Sequence, residues 1–279
     1  MALVDYSSES DSESCKRPSL TPPPPPKRAK KLPSLPATFD TAPKDDPSLH
    51  QGRTRSRPFV DGEYNTHVYL SLAIPPLLLS TLKELLSSFP STTNPLHPLL
   101  PDLHISLTRP LPLRRHQTKS FTDDLKAKFA KEVPAFRLSL AGRVKEYFSE
   151  VHVENGQERG FLALRVGAGA AELKEVVDNT LDPLLKISHL PTYHKNPEFH
   201  TSFAWTLLGQ KETMVLGDAL DEEVERPAEK CLFSQELLDK INDRFEERLL
   251  AAQPTGGWLI DSVELKISKD ITAIPLRMP

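Results

Sequence analysis

Leu103-His104-Ile105-Ser106-Leu107-Thr108 alternates apolar and polar side chains at every step. On an extended backbone this puts Leu103, Ile105 and Leu107 on one face and His104, Ser106 and Thr108 on the other, a strand with one face for burial and one for chemistry. The pattern returns late in the chain as Phe199-His200-Thr201-Ser202-Phe203-Ala204-Trp205, with His200 and Ser202 on one face and Phe199, Thr201, Phe203 and Trp205 on the other. Each stretch therefore presents a histidine and, two residues on, a hydroxyl.

The three-residue pattern alone is weak. With nine histidines in the chain and Ser plus Thr at roughly a seventh of all positions, about one His-x-Ser/Thr match is expected by chance. Three occur, at His104, His116 and His200. His116 stands in a polar, basic run, Leu113-Arg114-Arg115-His116-Gln117-Thr118-Lys119, without strand alternation, and reads as the chance match. The other two share a strand context that chance does not readily supply.

Composition bounds the rest. A chain of 279 residues with 38% hydrophobic content accommodates one sizeable domain plus a tail. Its net charge of -3 carries no global nucleic-acid signal, so local charge matters more. Cys15 and Cys231 lie far apart and form no Cys-x-x-Cys pair, which argues against a disulfide framework or a cysteine-based zinc site. The N-terminus lacks a signal-peptide core and no apolar run is long enough for a bilayer, so a soluble intracellular protein is expected.

Residues 1–58 read as a disordered tail. They are rich in Ser, Pro and charge, with a Ser/Glu/Asp run at 8–14 and five prolines at 22–26, and bury too little apolar surface to offset ordering entropy. Lys16 and Arg17, then Lys27, Arg28, Lys30 and Lys31, resemble a bipartite nuclear import signal; a solvated basic linker is the alternative. Arg53, Arg55 and Arg57 add a basic patch at the domain edge.

The folded domain is expected over 59–279, as strand 66–73, helix 75–89, the His104 strand, a basic loop 109–119 and helix 120–133. Strands 135–148 and 160–166 follow, joined by a hairpin around Asn155 and Gly156. Next come helix 171–187 with Pro183 kinking or ending it, a loop 191–198 and the His200 strand. An acidic insertion at 210–230, a helix 234–252 capped by Ser234, and strands 258–267 and 271–276 close the chain. This order suggests two related α+β lobes, each contributing one histidine strand.

Two histidines facing one cleft supply a general base and a general acid at neutral pH, because imidazole titrates there. A hydroxyl beside each donates hydrogen bonds to the non-bridging oxygens of a phosphate. With RNA, one histidine takes the proton of a ribose 2′-hydroxyl that attacks the adjacent phosphorus, and the other protonates the departing 5′-oxygen; neither a metal nor another cofactor is needed. His189, His194 and His200 have spacings reminiscent of zinc ligands, but no cysteine pair or carboxylate cluster completes a site, so no metal is expected. Tyr193 and His194 are ordinary loop residues or rings that stack on a nucleobase.

The paired His-x-Ser strands resemble the 2H (two-histidine) phosphoesterase superfamily, and the ordered segments are similar to the U6 small nuclear RNA phosphodiesterase family. The likeness is carried by Thr66-His67-Val68-Tyr69, the His104 stretch with Leu113-Arg114-Arg115-His116, residues 160–166, the His200 stretch and Val263-Glu264-Leu265-Lys266-Ile267, and it spans about residues 59–279. The resemblance implies a two-lobed, pseudo-symmetric α+β fold of antiparallel sheets flanked by helices with a central cleft. It also implies a monomeric, nuclear, metal-independent 3′-5′ exoribonuclease that trims the 3′ oligo(U) or A end of U6 RNA, with no membrane attachment. Trimming would leave a 2′,3′-cyclic phosphate or a 3′-phosphate. By position, His104 and His200 would be the catalytic pair and Ser106 and Ser202 the phosphate binders. Asn196, Pro197, Glu198, Phe199 and Thr201 would line the nucleotide site. The family's base-stacking tyrosine stands six residues before the second histidine, where this chain has His194 preceded by Tyr193, so either ring is a candidate. Two rivals remain: a cyclic phosphodiesterase or tRNA-processing relative within the superfamily, and a non-catalytic RNA-binding protein of the same fold.

Overall fold

The computed structural model of the chain describes residues 47–52, 60–90, 95–149, 158–208 and 231–278. Of the expected tail only 47–52 fall among these, with a 3-10 turn over Pro47–His50. The basic import-like clusters, Arg53, Arg55 and Arg57, the hairpin turn at Asn155 and Gly156, and the acidic segment 210–230 lie outside the described residues.

The architecture is mixed helix and antiparallel sheet. Its strands are β1 (Glu63–Leu72), β2 (His97–Pro98), β3 (Leu103–Ser106), β4 (Leu111–Arg114), β5 (Phe136–Leu138), β6 (Leu140–Phe148), β7 (Arg159–Val166), β8 (His200–Leu207), β9 (Trp258–Ile260), β10 (Ser262–Ile267) and β11 (Asp270–Pro275). The helices are α1 (Pro76–Ser87), α2 (Thr118–Glu132), α3 (Ala170–Glu175), α4 (Asp182–Ile187) and α5 (Gln235–Ala251). One nine-stranded sheet runs β11-β10-β1-β3-β8-β7-β6, with β2 paired to β8 and β4 paired to β1; β5 and β9 form a separate pair. The two histidine strands lie side by side in the middle, joined through Ile105 opposite Thr201. On one flank stand β1, β10 and β11, and on the other β7 and β6, so each half of the sheet contributes one histidine strand.

The alternation decides which face is buried. Val68, Leu70, Leu72, Leu103, Ile105, Leu162, Leu164, Phe203, Val263 and Leu265 join the leucines and phenylalanines of the helices in one apolar core. α5 packs on β6 and against α1, and α2 packs on β11. Among the described residues no helix is long and apolar enough to cross a membrane.

Several elements differ from the sequence expectation for local reasons. The basic loop 109–119 contains β4, which pairs with the first half of β1 although Pro112 donates no backbone hydrogen bond there. The helix expected at 171–187 exists as one run, but its middle, Val176–Leu181, is π-helical. The widened turn immediately precedes Pro183, which sits in the first turn of α4, and so the missing proline N–H interrupts the ladder where it is already re-registered. Gly257, at φ 78°, is a turn residue for which a Cβ would fall 2.3 Å from the carbonyl oxygen of Leu138, so glycine is required between α5 and β9.

β6 is an edge strand, and α5 covers its irregular part. A bulge separates the pairs Leu140–Val166 and Val144–Leu164. The side-chain amides of two residues supply what a neighbouring strand would. Asn242 Oδ1 accepts from the Val144 N–H at 2.6 Å and its Nδ2 donates to the Val144 carbonyl at 3.2 Å. Gln253 bonds the N–H and carbonyl of Leu140 in the same way, both at 2.8 Å. The close approach that this needs is why Gly142 is glycine: a Cβ there would lie 2.7 Å from the Glu246 carbonyl oxygen. Asn242→Leu leaves a buried N–H and C=O unpaired and is expected to cost about 2 kcal/mol, read as a lower urea midpoint. An unchanged midpoint would show that α5 docks without this bond.

Candidate active site

The site is the face of the sheet opposite the core. Because paired residues of antiparallel strands project to the same side, the register assigns it row by row. Ile105 and Thr201 point into the core, so His104, Ser106, His200 and Ser202 point away from it together. By this register His104 stands across from Ser202, and Ser106 across from His200. The two histidines are then diagonal neighbours, a relation that spans about 7–8 Å between opposed strands and leaves room for a phosphate. On β1, Tyr69 is opposite Ser106 and Ser71 opposite His104; on β10, Lys266 is opposite His67 and Glu264 opposite Tyr69. On β7, Arg165 is opposite His200 and Ala163 opposite Ser202, and on β6 Lys145 is opposite Ala163.

Both imidazoles are held at the backbone of the residue two positions before. His200 Nδ1 lies 2.7 Å from the Glu198 carbonyl oxygen. A carbonyl only accepts, so Nδ1 carries the proton and Nε2 is left as the basic nitrogen. His104 makes the corresponding bond to the Asp102 backbone. Burial lowers the pKa of each ring; for His200 the nearby His104 adds to the lowering, while the bond to Glu198 opposes it. Protonating one ring therefore disfavours protonating the other, and a pair holding one proton between them is what paired acid and base catalysis requires.

The rings around the two histidines differ. His104 meets His67 and Tyr69 edge-on, at centroid distances of 6.1 and 5.6 Å, and those two stack on each other at 5.3 Å. His200 instead lies flat against Tyr147 at 3.8 Å with 13° between the planes. Burial, with the nearby Glu198, pushes the Tyr147 phenol up. The Glu198 carboxylate is itself held by Lys145 Nζ at 2.7 Å and Arg165 Nε at 2.9 Å.

The other sequence-predicted residues scatter. Phe199 and Thr201 are buried on the core side, at 5% and 0% exposure, and do not reach the open face. Tyr193 packs against the core and Phe199, and its backbone N–H donates to Asp182 Oδ1 at 3.1 Å. His194 is exposed, with Nδ1 3.0 Å from an Arg109 guanidinium nitrogen. Asn196 is exposed and Pro197 half-buried in the same loop. Thr108, expected beside His104 and Ser106, is buried: β3 ends at Ser106, and the Thr108 hydroxyl turns inward to accept from the Val68 N–H at 3.1 Å. Trp205, expected on the core face, is turned by a bulge in β8 to stand opposite Phe161 and stacks on His97 at 4.6 Å. His116 is an exposed residue of the 3-10 turn Arg115–Gln117. Among the described residues no three His, Cys, Asp or Glu side chains form a group able to hold a metal ion.

Lys145, Tyr147 and Arg165 were not expected at the site, and neither was the packing of His67 and Tyr69 on His104. The alternation of Lys145 and Tyr147 along one strand was visible in sequence; the pairing that brings them to His200 was not.

The chain matches the sequence profile of the HVSL family, described as an uncharacterised conserved protein, over residues 22–275. It belongs to that family. It is similar to U6 snRNA phosphodiesterase 1 of Xenopus laevis, at 31% identity over 88% of this chain and 90% of the relative. Its identity to U6 snRNA phosphodiesterase 1 of Mus musculus is 28%, over 88% and 81%. With that of Neurospora crassa the identity is 27%, over 92% and 78%. The solved structure of Kluyveromyces marxianus Usb1 aligns with a TM-score of 0.44 at 16% identity, covering 76% of this chain and 97% of that one, a likeness that adds nothing to the fold derived above.

In this HVSL protein a third histidine at the site, His67, sets a pH dependence. Burial, then the charges of His104 and Lys266, lower the His67 pKa to about 4, against a partial rise from its bond to the Thr108 backbone. The unfolded chain takes up a proton here below about pH 6.5, whereas the folded protein does not until about pH 4. Stability contributed by the neutral ring is therefore complete above pH 6.5 and lost as pH falls to 4, on the order of 3 kcal/mol in full. Urea midpoints should fall over this window, and His67→Gln should flatten the fall; an unaltered slope would place the proton uptake elsewhere.

Proposed function

We propose that this HVSL protein is a U6 snRNA phosphodiesterase that shortens the RNA from its 3′ end by metal-independent two-histidine chemistry. The observation that carries the reading is the pairing of β3 with β8, which sets His104, Ser106, His200 and Ser202 on one face of one sheet. Relatives bearing the name U6 snRNA phosphodiesterase 1 across most of the chain supply the substrate class.

In this mechanism the last phosphodiester lies between the histidines. Nε2 of one histidine removes the proton of the 2′-hydroxyl on the penultimate ribose. The oxygen attacks phosphorus, the bond to the 5′-oxygen of the terminal nucleoside breaks, and the other imidazolium protonates that oxygen. The shortened RNA ends in a 2′,3′-cyclic phosphate; water attack at the same centre would open it to a 3′-phosphate. Ser106 and Ser202 donate to the non-bridging oxygens, whose charge grows as phosphorus becomes five-coordinate.

The loop 191–198 receives the terminal nucleotide. His194 is the exposed ring, oriented by Arg109, and stacks on the base; Tyr193, packed on Phe199, supports the loop from beneath. Asn196 and Pro197 line the same pocket. Because both histidines come from one chain, the monomer is the active unit. A nuclear location follows from the substrate and agrees with the basic clusters at residues 16–31.

The purified protein, in excess EDTA with an RNA ending in uridines, is expected to release the terminal nucleoside first and then, stepwise, nucleotides that carry the phosphate of the preceding cut, and to leave a cyclic or 3′-phosphate end by mass. His104→Ala and His200→Ala should each lower the rate by about 10²–10⁴-fold with RNA binding retained. Retained trimming in either variant would sink the mechanism, and binding without any product would favour a non-catalytic RNA-binding protein.

A further inference from the structure

Three features of the open face concern a single ring. The His200 imidazole is tied at Nδ1 to the Glu198 carbonyl at 2.7 Å, and one of its flat sides is covered by Tyr147, 3.8 Å away and only 13° out of parallel. Tyr147 is not an immediate neighbour of His200. It stands on β6, opposite Phe161, and β7 lies between it and β8. To reach the imidazole its side chain must lean across β7 and two rows along, from the row of Phe161 past that of Ala163 to that of Arg165.

What lies beneath it is Ala163. Ala163 is opposite Lys145 on one side and Ser202 on the other, so it points to the open face. It is nevertheless 0% exposed and stands apart from the apolar core. An alanine on a solvent-facing row with no exposure must be covered from that side, and the Tyr147–His200 stack is what spans this place. A larger residue at 163 would occupy the space over which Tyr147 lies.

The end of the lever is fixed as well. The Glu198 carboxylate accepts from Lys145 Nζ on β6 and Arg165 Nε on β7. That ion-paired side chain belongs to the residue whose carbonyl accepts the hydrogen bond from the His200 Nδ1–H. One nitrogen and one face of His200 are thus restrained by β6 and β7, and Nε2 is the nitrogen left to face a substrate. Among the described residues the ring contacts of His104 are edge-on, with His67 and Tyr69 at 6.1 and 5.6 Å.

We infer that Tyr147 is a positioning residue for His200, holding the imidazole in one tautomer and one orientation by stacking across Ala163, so that Nε2 meets the reacting oxygen. The inference rests on the two-histidine reading above for its catalytic meaning, but the stack itself is independent of it. Tyr147 touches no reacting atom; its ring face, not its hydroxyl, is the working part. A phenyl ring at the same place fulfils the role and an aliphatic side chain does not, because only a flat ring restrains the imidazole plane. A displacement of about 1 Å at a catalytic group lowers turnover on the order of a hundredfold.

The test compares Tyr147→Phe, Tyr147→Leu and Ala163→Leu in the full chain, with kcat and KM on a uridine-ended RNA and 1H–15N spectra of the histidine rings. Tyr147→Phe should keep kcat within about threefold, whereas Tyr147→Leu and Ala163→Leu should each lose about 10–100-fold in kcat with KM nearly unchanged. In the spectra, His200 should be a single Nδ1–H tautomer in the parent and Tyr147→Phe, and a mixture in the other two. A raised KM at unchanged kcat would make Tyr147 a substrate contact instead, and equal damage from Phe and Leu would assign the role to its hydroxyl; either result overturns the inference. If Tyr147→Leu does not fold, Ala163→Leu decides alone, since it leaves the tyrosine in place and only displaces it. Should the parent show no phosphodiesterase activity, the functional reading fails, while the His200 tautomer still reports whether the stack orders the ring.

Discussion

The pairing of β3 with β8 through Ile105 and Thr201 is the constraint on which the rest of the molecule depends. It is short, because β3 is only four residues long. Yet it joins the flank β11-β10-β1-β3 to the flank β8-β7-β6, and a shift of one residue would send His104 and Ser106 into the core and Leu103 and Ile105 to the open face. Hydrophobic burial on one side thus fixes the placement of the two histidines on the other. The apolar residues of both strands are almost wholly buried, and any slip that misaligned the histidines would expose them.

How much of this is legible in the sequence depends on whether a feature is set within a strand or between strands. Alternation along one strand is local, so the faces of His104, Ser106, His200 and Ser202 follow from the sequence directly. The α5 cap is equally local: Ser234 Oγ accepts from the Leu237 N–H at 3.3 Å. Strand ends and bulges depend on the partner strand and are not written in the period. Thr108 continues the alternation of residues 103–107 on paper, but β3 stops two residues earlier and the hydroxyl is taken by the Val68 N–H. Trp205 continues the alternation of β8 on paper, but the bulge before it reverses its face. β4 is not legible in the sequence because Pro112 and the arginines following it hide a strand that pairs only at the end of β1.

The same distinction explains the residues near His200. Lys145, Tyr147 and Arg165 sit on strands whose own alternation was visible, but nothing in one sequence says that β7 pairs with β8 with Arg165 opposite His200. Conversely, the family resemblance implied Phe199 and Thr201 for the nucleotide site, although the alternation puts them on the face opposite His200; neighbours along a strand point to opposite faces, and both are in the core. Distance along the chain is a poor guide to a site built on a sheet. Strand parity plus register is the better one.

Taken as electrostatics, the two halves of the sheet give their histidines different surroundings from similar local motifs. Each imidazole is bonded to the backbone two residues back, and burial lowers the pKa of each. Around His104 stand another imidazole, held neutral by its own low pKa, the Tyr69 phenol and the Lys266–Glu264 pair of charges on β10. Around His200 stand a flat aromatic ring and a carboxylate shared between two cations. A reaction that needs one group as base and the other as acid requires two sites that do not hold the proton equally in every state, and two strands of the same local pattern cannot differ in this by themselves. The difference comes from their outer neighbours, β1 with β10 on one side and β7 with β6 on the other. In the proposed mechanism, the division of labour between the histidines is therefore set by residues one and two strands away from them.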